Sequence, residues 1–250
     1  MTATVFKILL LVAIFVAVLG ATYPKQRAAI QEEQATNYDN TLEHEAIRTQ
    51  AQYEAALKNT AKNGAANTDE LIATGNAYAA VLTSQQKFEE AAKIYQDQLA
   101  LTWGLVNNAY NEKWANASMH LAGAHRNLDN QPAALVCYDS VLKHDQQFLP
   151  AHDPRIVRDL NNIGLMHYLI GMGKSEAADR KIEFKISRDY LEQALTILDK
   201  NNQGTSAKAA ATLWNLFLTC RDLSDDAAAN QYKARAQAID KSLNRVCREP

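Results

Sequence analysis

Histidines, cysteines and paired carboxylates are the residues of this sequence whose side chains could serve a reaction or a metal ion. No two histidines have the His-Glu-x-x-His spacing of a zinc site on a helix, and no suitable cysteine pair accompanies them. We therefore predict no catalytic residue, no metal and no cofactor. The six histidines are His44, His120, His125, His144, His152 and His167.

The cysteines and the carboxylate pairs have structural explanations. Cys137 and Cys220 fall within predicted helices and Cys247 lies in the tail, so their positions indicate no disulfide framework. The carboxylate pairs at 89–90 and 225–226 open predicted helices, where the positive end of the helix dipole stabilises negative charge. No glycine-rich phosphate loop, Gly-x-Ser-x-Gly turn or kinase signature occurs. These observations indicate that the protein is not an enzyme.

Composition favours an all-α protein that does not bind nucleic acid. The 250 residues include only 9 glycines and 5 prolines, and β-branched runs are nearly absent outside the N-terminus. The net charge is −2, and no cluster of lysine and arginine is dense enough to follow a phosphate backbone.

One helical stretch, from Gln86 to Leu101, organises the rest of the chain. Within it Phe88, Ala91, Tyr95 and Leu99 form a single apolar stripe, and charged residues occupy the opposite face. The small, aromatic and apolar positions return 43 residues later. The returning residues are Ala134, Tyr138 and Leu142.

The helix before each stripe repeats with the same period. Its small positions are Ala79, Ala122 and Gly164, which are separated by 43 and 42 residues. Small residues at these points allow two antiparallel helices to approach closely. The sequence therefore predicts an array of helix pairs.

These residues resemble the tetratricopeptide (TPR) family, with the longer spacing of kinesin-light-chain-like repeats. The third unit is the most similar, with His152-Asp153-Pro154 at its start and then Leu160-Asn161-Asn162-Ile163-Gly164. The resemblance covers about Asp69 to Ala238 and departs from the family where Gln86 and Asp129 replace the usual glycine before the second helix. It implies a right-handed α-solenoid of antiparallel helix pairs.

The N-terminal segment differs in kind, because residues 8–21 form an uninterrupted apolar run of 14. That length suits a signal peptide, but flanking residues extend the usable span to residues 5–23. We favour an uncleaved membrane anchor in residues 1–23, with the repeats outside the cytoplasm. The alternative is a secreted or periplasmic protein cleaved near Gly20 or Ala21.

Residues 24–68 are polar and helix-prone. A break at 37–40, where Asn40 could cap a new helix, predicts two helices here. Tyr53 and Leu57 match Tyr95 and Leu99, so this segment is either a degenerate leading repeat or a solvated helical stalk.

Residues 69–250 are predicted to form the solenoid, with units at about 69–102, 114–145, 154–199 and 207–240 and a C-terminal capping helix. The third unit carries about 11 extra residues near 172–182. These extra residues are either a tolerated surface insertion or a protruding contact for a partner.

In the TPR family the first helix of each unit lines a concave groove. Matching positions in this sequence become candidates for binding a partner protein or peptide through amide and carboxylate contacts. The alternative is that several of them are core or ordinary solvated side chains, Trp214 above all. The candidates are Asn76, Met119, Arg126, Arg158, Asn161, Tyr168, Trp214 and Arg221.

The resulting hypothesis is a membrane-tethered interaction scaffold that binds a partner through the groove. The alternative is a cleaved, chaperone-like accessory protein of the periplasm or the exterior. A third hypothesis is self-association through the repeats.

Overall fold

The structure, a computed structural model, describes residues 3–63, 67–103 and 110–241, and within these ranges the side chains from residue 31 onward except those of residues 33 and 63. The described residues form helices and connecting turns. The helices are α1 (Ala3–Asn63), α2 (Thr68–Ser84), α3 (Phe88–Trp103), α4 (Glu112–Asn127), α5 (Gln131–Phe148), α6 (Pro154–Gly173), α7 (Ala177–Lys200), α8 (Ala207–Asp222) and α9 (Asp226–Ile239).

Each helix packs chiefly against its neighbours in sequence, and α6 also contacts α8. This arrangement is an open stack of helix pairs, and it confirms the predicted α-solenoid. The core continues along the stack, from one apolar cluster at α1–α4 through a second at α4–α8 to a third at α7–α9.

The helix pairs touch where small residues were predicted. Ala79 and Ala122 are fully buried. A Cβ added to Gly164 of α6 would lie 2.7 Å from Leu191 Cγ and 3.2 Å from the backbone oxygen of Ser187 on α7. A side chain at position 164 would therefore have to displace Leu191 or push α7 away from α6.

Local sequence signals mark the helix boundaries. Side chains at the N-caps of α4, α5, α6, α8 and α9 accept a hydrogen bond from a backbone N–H in the first turn. The turns between helices contain non-glycine residues in the left-handed region, with φ between 54° and 62°. These residues are Gln86, Asp129, Asn202 and Ser224.

The predicted break at residues 37–40 is wrong, because α1 is one continuous helix. Thr41 Oγ1 donates to the backbone oxygen of Asn37 at 2.8 Å, a bond made within a helix. Asn and Asp cost a helix less than about 1 kcal/mol each, so three of them without glycine or proline do not end it. Near the end of α1, Tyr53 and Ala56 are buried against α2.

The predicted insertion at 172–182 is mostly helical. Only three residues, Lys174 to Glu176, separate α6 from α7, so the extra residues lengthen both helices. Gly171 packs against Phe184, and His167 Nδ1 lies 2.8 Å from Glu183 Oε2.

The predicted membrane anchor at residues 5–23 requires correction. Those side chains lie outside the described residues, although the backbone of the segment falls within α1. Across the part of the chain that was described, every helix is too short or too polar to cross a bilayer. We therefore withdraw the predicted membrane anchor and the membrane localisation that depends on it.

Candidate functional site

Three of the candidate residues meet in one pocket between α2 and α4. Asn76 of α2 and Met119 and Arg126 of α4 line a pocket of about 350 Å³. Tyr95 of α3 forms part of the wall, and its ring stacks on His120 with 5.0 Å between centroids. The predicted first-helix positions of two successive units are therefore neighbours in space.

Polar groups in this pocket have unused hydrogen-bonding capacity. Asn76 Oδ1 is buried and has no hydrogen-bond partner. Arg126 forms no ion pair with any of the described residues. A buried acceptor beside an uncompensated cation can bind a ligand that brings an N–H group and a negative charge.

His120 was not among the predicted site residues. The atoms packed around its ring and the charge of Arg158 lower its pKa below 6.5, although the side chain keeps solvent contact. It is therefore a neutral hydrogen-bonding group at neutral pH. Its position next to Met119 on α4 was the only sequence signal for it.

Arg158 and Asn161 lie on α6, on the next unit. Arg158 Nε donates to Asp159 Oδ1 at 2.9 Å, and its Nη2 lies 3.6 Å from Asp145 Oδ2. The Asn161 amide donates to the backbone oxygen of Val157 at 3.0 Å, while its Oδ1 is buried without a partner. Asn161 therefore presents a second unused acceptor on a first helix.

Tyr168 and Arg221 meet at a carboxylate that sequence reasoning missed. The Tyr168 hydroxyl donates to Asp222 Oδ2 at 2.8 Å, and Arg221 Nε donates to Asp222 Oδ1 at 2.8 Å. Burial and Asp222 raise the pKa of Tyr168 to about 12. Both side chains are already satisfied, so they are less available to a partner than Asn76 and Arg126.

Trp214 is partly buried and packs on the cluster formed by α7, α8 and α9. Its ring centroid lies 5.0 Å from that of Phe217. This placement is the one expected for a core residue.

The two buried carboxylates beside Arg158 were also missed. Asp159 falls on the buried stripe of α6 with Ile156 and Ile163, and Asp145 lies on α5. An acidic residue at a position with helical core periodicity was the signal that could have revealed Asp159.

A separate apolar pocket of about 340 Å³ is lined mainly by the second helices α3 and α5. Trp103 and Val136 on its rim are exposed. Its walls offer few polar groups to orient a ligand, so the pocket between α2 and α4 is the better candidate site.

The described residues offer no site for metal or thiol chemistry. No three histidine, cysteine or carboxylate side chains in the described ranges are grouped so that they could hold a metal ion. Cys137 and Cys220 are free thiols, and burial raises the pKa of both. Cys247 lies outside the described residues.

No protein-family model and no curated protein matches this sequence. Solved structures are similar in fold. BtubC (BKLC) from P. vanneervenii superposes with a TM-score of 0.65 at 17% identity, covering 80% of this chain and 74% of that chain. A Podosopora anserina kinesin light chain with nearly identical TPR-like repeats superposes with a TM-score of 0.61 at 15% identity, covering 89% of this chain and 98% of that chain.

Bacillus thuringiensis PlcR, solved in complex with the peptide PapR7 and DNA, gives a TM-score of 0.56 at 12% identity and covers 85% of this chain and 71% of that chain. All of these identities are low, so the similarity concerns the fold. The antiparallel helix pairs, their close-packed small positions and these superpositions agree. The chain has the fold of a TPR-like repeat protein.

Proposed function

We propose that this protein binds an extended segment of a partner protein in the groove lined by its first helices. The observation that carries this proposal is the pocket between α2 and α4, where the buried Asn76 Oδ1 has no partner and Arg126 has no counter-ion among the described residues. Leaving a buried acceptor unpaired costs about 1–3 kcal/mol. If the Asn76 amide rotates into the pocket, a peptide N–H group can bind this oxygen and remove that cost.

The unused acceptors favour a peptide over a small molecule. Asn161 Oδ1 on α6 is a second buried acceptor without a partner, and it lies on the first helix of another unit. Two such acceptors on different units suit a ligand that runs along several helices and exposes repeated N–H groups. PlcR, which has a similar fold, was solved with a bound peptide, and this supports the same ligand class.

The test is a selection of peptides from a random display library on the immobilised full chain. Arg126→Glu reverses the uncompensated charge, and Gly123→Leu fills open space in the pocket, because nothing lies within 4 Å of a Cβ at Gly123. Lys93→Glu is the matched control, since it makes the same charge reversal at an exposed site on the second helix α3.

We expect selected peptides to bind wild type and Lys93→Glu alike, and to bind both pocket variants at least about tenfold more weakly, which corresponds to about 1.4 kcal/mol. Circular dichroism would show that each variant is folded. Equal binding by the pocket variants, or no enriched peptide at all, would refute the proposal. Arg158→Glu is unsuitable for this test because it would remove the cation beside the buried Asp145 and Asp159 and place a third carboxylate next to them.

A further inference from the structure

Arg158 is a fixed cation beside two carboxyl groups that have no solvent exposure. Asp145 and Asp159 are both 0% exposed. Arg158 approaches both, at 2.9 Å from Asp159 Oδ1 and 3.6 Å from Asp145 Oδ2. If both acids were ionised, the group would bury one uncompensated negative charge, which is costly in a protein interior.

The adjacent histidine does not supply the missing positive charge. The backbone N–H of Asn111 donates to His144 Nε2 at 3.2 Å, so that nitrogen holds a lone pair. The proton of the neutral ring is then on Nδ1, which lies 3.3 Å from Asp145 Oδ1 and donates to it. His144 therefore binds Asp145 as a neutral donor.

The two carboxyl groups have a place for a shared proton. Asp145 Oδ2 and Asp159 Oδ2 are both buried and have no hydrogen-bond partner. A proton shared by the two carboxyl groups would leave a single negative charge, which the charge of Arg158 balances. Burial first, and then the neighbouring Asp145, raise the pKa of Asp159, while Arg158 opposes this shift.

Arg158 also lies close enough to the pocket between α2 and α4 to affect it. Its side chain is 35% exposed, and its charge acts on His120, which lines that pocket. One guanidinium group thus connects the buried acids to the surface on which a partner would lie. The number of negative charges beneath it determines how strongly Arg158 attracts an incoming carboxylate.

We propose that the Asp145–Asp159 pair is a proton-controlled regulator of Arg158, so that an acidic peptide binds the groove more tightly when the pair holds a proton. This inference rests on the proposed function. When both acids are ionised, their net negative charge cancels the attraction of Arg158 for the peptide. When they share a proton, that attraction is restored, and binding of the acidic peptide is coupled to proton uptake.

Between pH 6.5 and 8.5 the other charged and titratable groups near the pair do not change their charge. Arg126 of α4 and Arg155 of α6 stay charged. Burial raises the pKa of Tyr138 and of Tyr110 above 10, so both stay neutral. Hydrogen bonds from Arg155 lower the pKa of Asp153 to about 2. His120, whose pKa is lowered, gains its charge below pH 6.5.

The experiment measures binding of a defined acidic probe to the full chain. The probe is an acetylated, amidated octapeptide of alternating glutamate and alanine, and its glutamine counterpart is the neutral control. Titration calorimetry at pH 6.5, 7.5 and 8.5, in buffers of different ionisation enthalpy, gives both the affinity and the number of protons taken up. We expect wild-type affinity to fall by about threefold to tenfold from pH 6.5 to 8.5, with proton uptake on binding.

Two variants test whether the pH dependence comes from the acid pair or from His120. Asp159→Asn cannot exchange a proton, so we expect pH-independent binding without proton uptake. His120→Gln removes the titratable imidazole of the pocket. Because His120 lines the pocket, the comparison uses the ratio of the affinities at pH 6.5 and 8.5, and we expect this ratio to equal that of wild type. Carbon-13 NMR of the Asp159 carboxyl in wild type checks the assignment without a variant, and we expect its chemical shift to titrate near neutrality.

Several results would overturn the regulator. They are an unchanged pH dependence in Asp159→Asn, loss of the pH dependence in His120→Gln, or an Asp159 carboxyl that completes its titration below pH 5. Failure of the acidic octapeptide to bind, while library-selected peptides bind the groove, would overturn this inference and leave the proposed function intact. Failure of both kinds of peptide would overturn both.

Discussion

Asp145 of α5 and Asp159 of α6 lie against each other at the junction between the second and third helix pairs, and neither side chain reaches solvent. Burial and the neighbouring Asp145 raise the pKa of Asp159 from 3.8 to about 7, against the pull of Arg158. The folded chain therefore holds this proton at higher pH than the unfolded chain does. This relationship makes the stability of the fold depend on pH.

The first prediction concerns the sign of that dependence. Between the unfolded pKa of 3.8 and the folded pKa of about 7, the folded state binds more protons, so this group lowers the free energy of unfolding as the pH rises. Asp159→Asn removes the effect, and we expect it to be more stable than wild type at pH 8 by about 1–3 kcal/mol. At pH 4.5 the two proteins should differ much less. Urea unfolding followed by circular dichroism at both pH values measures this, and parallel pH profiles would contradict it.

The second prediction has the opposite sign and concerns the N-cap of α6. Asp153 accepts hydrogen bonds from the backbone N–H of Arg155 and from its guanidinium group, all at 2.9 Å. The side-chain hydrogen bonds of Arg155 lower the pKa of Asp153 to about 2. Its contribution to stability is present above the unfolded pKa of 3.8 and is lost as the pH falls through about 2.

We therefore expect Asp153→Asn, which keeps a capping oxygen but loses the charge, to cost about 0.5–1 kcal/mol at pH 7. Urea unfolding at pH 7 and pH 3 gives the difference between the variant and wild type. The difference should shrink at pH 3. A cost that stays constant over this range would show that the carboxylate charge does not contribute.

The third prediction concerns the turns that lack glycine. Gln86 has φ of 61° and Ser224 has φ of 62°, a conformation that costs residues with a Cβ about 1–2 kcal/mol. Replacing either residue by glycine removes this cost, but glycine also gives the unfolded chain more conformational freedom, which offsets part of the gain. We therefore expect Gln86→Gly and Ser224→Gly each to raise the free energy of unfolding by about 0.5–1 kcal/mol. Lys87→Gly is the control, because this exposed neighbour does not have positive φ. Chemical unfolding should show a loss for the control, and equal effects at 86 and 87 would exclude backbone strain as the cause.

The fourth prediction compares two helical glycines. A Cβ at Gly164 would lie 2.7 Å from Leu191 Cγ, whereas nothing lies within 4 Å of a Cβ at Gly123. Gly164→Ala should force α6 from α7 and cost about 1–3 kcal/mol. Gly123→Ala should stabilise by up to about 1 kcal/mol, because alanine favours a helix. Thermal unfolding of both variants tests the pair, and a tolerated Gly164→Ala would mean that this contact is not tight.

The sequence predicted the helix pairs because their determinants are local and repeated. The apolar stripe that includes Ala91 and Tyr95 and the recurring small positions need only helical periodicity to be recognised. The caps and the turn before each second helix follow from residues a few positions apart. The prediction of a helix start at Asn40 was wrong. A capping residue only permits a helix to begin at its position, and here the hydrogen bonds of α1 continue through it.

The candidate site was predicted in part. Family spacing placed Asn76, Met119 and Arg126 on first helices, but only the structure shows that they line one pocket. It also places Trp214 against the core, and it pairs Tyr168 with Asp222. These contacts join residues that are far apart in the chain. They could not be predicted from the sequence, because they depend on how the helices cross.

The amino-acid sequence by itself therefore determined the paired helices of the repeats and the repeat length, since both depend on periodicity within a few turns. Tertiary structure alone decided which polar groups are left without partners. Asp145 and Asp159 are far from each other's side chains in an isolated helix, and water is excluded from both only when α5 and α6 pack. Burial and proximity set their protonation, and neither quantity exists before the chain is folded.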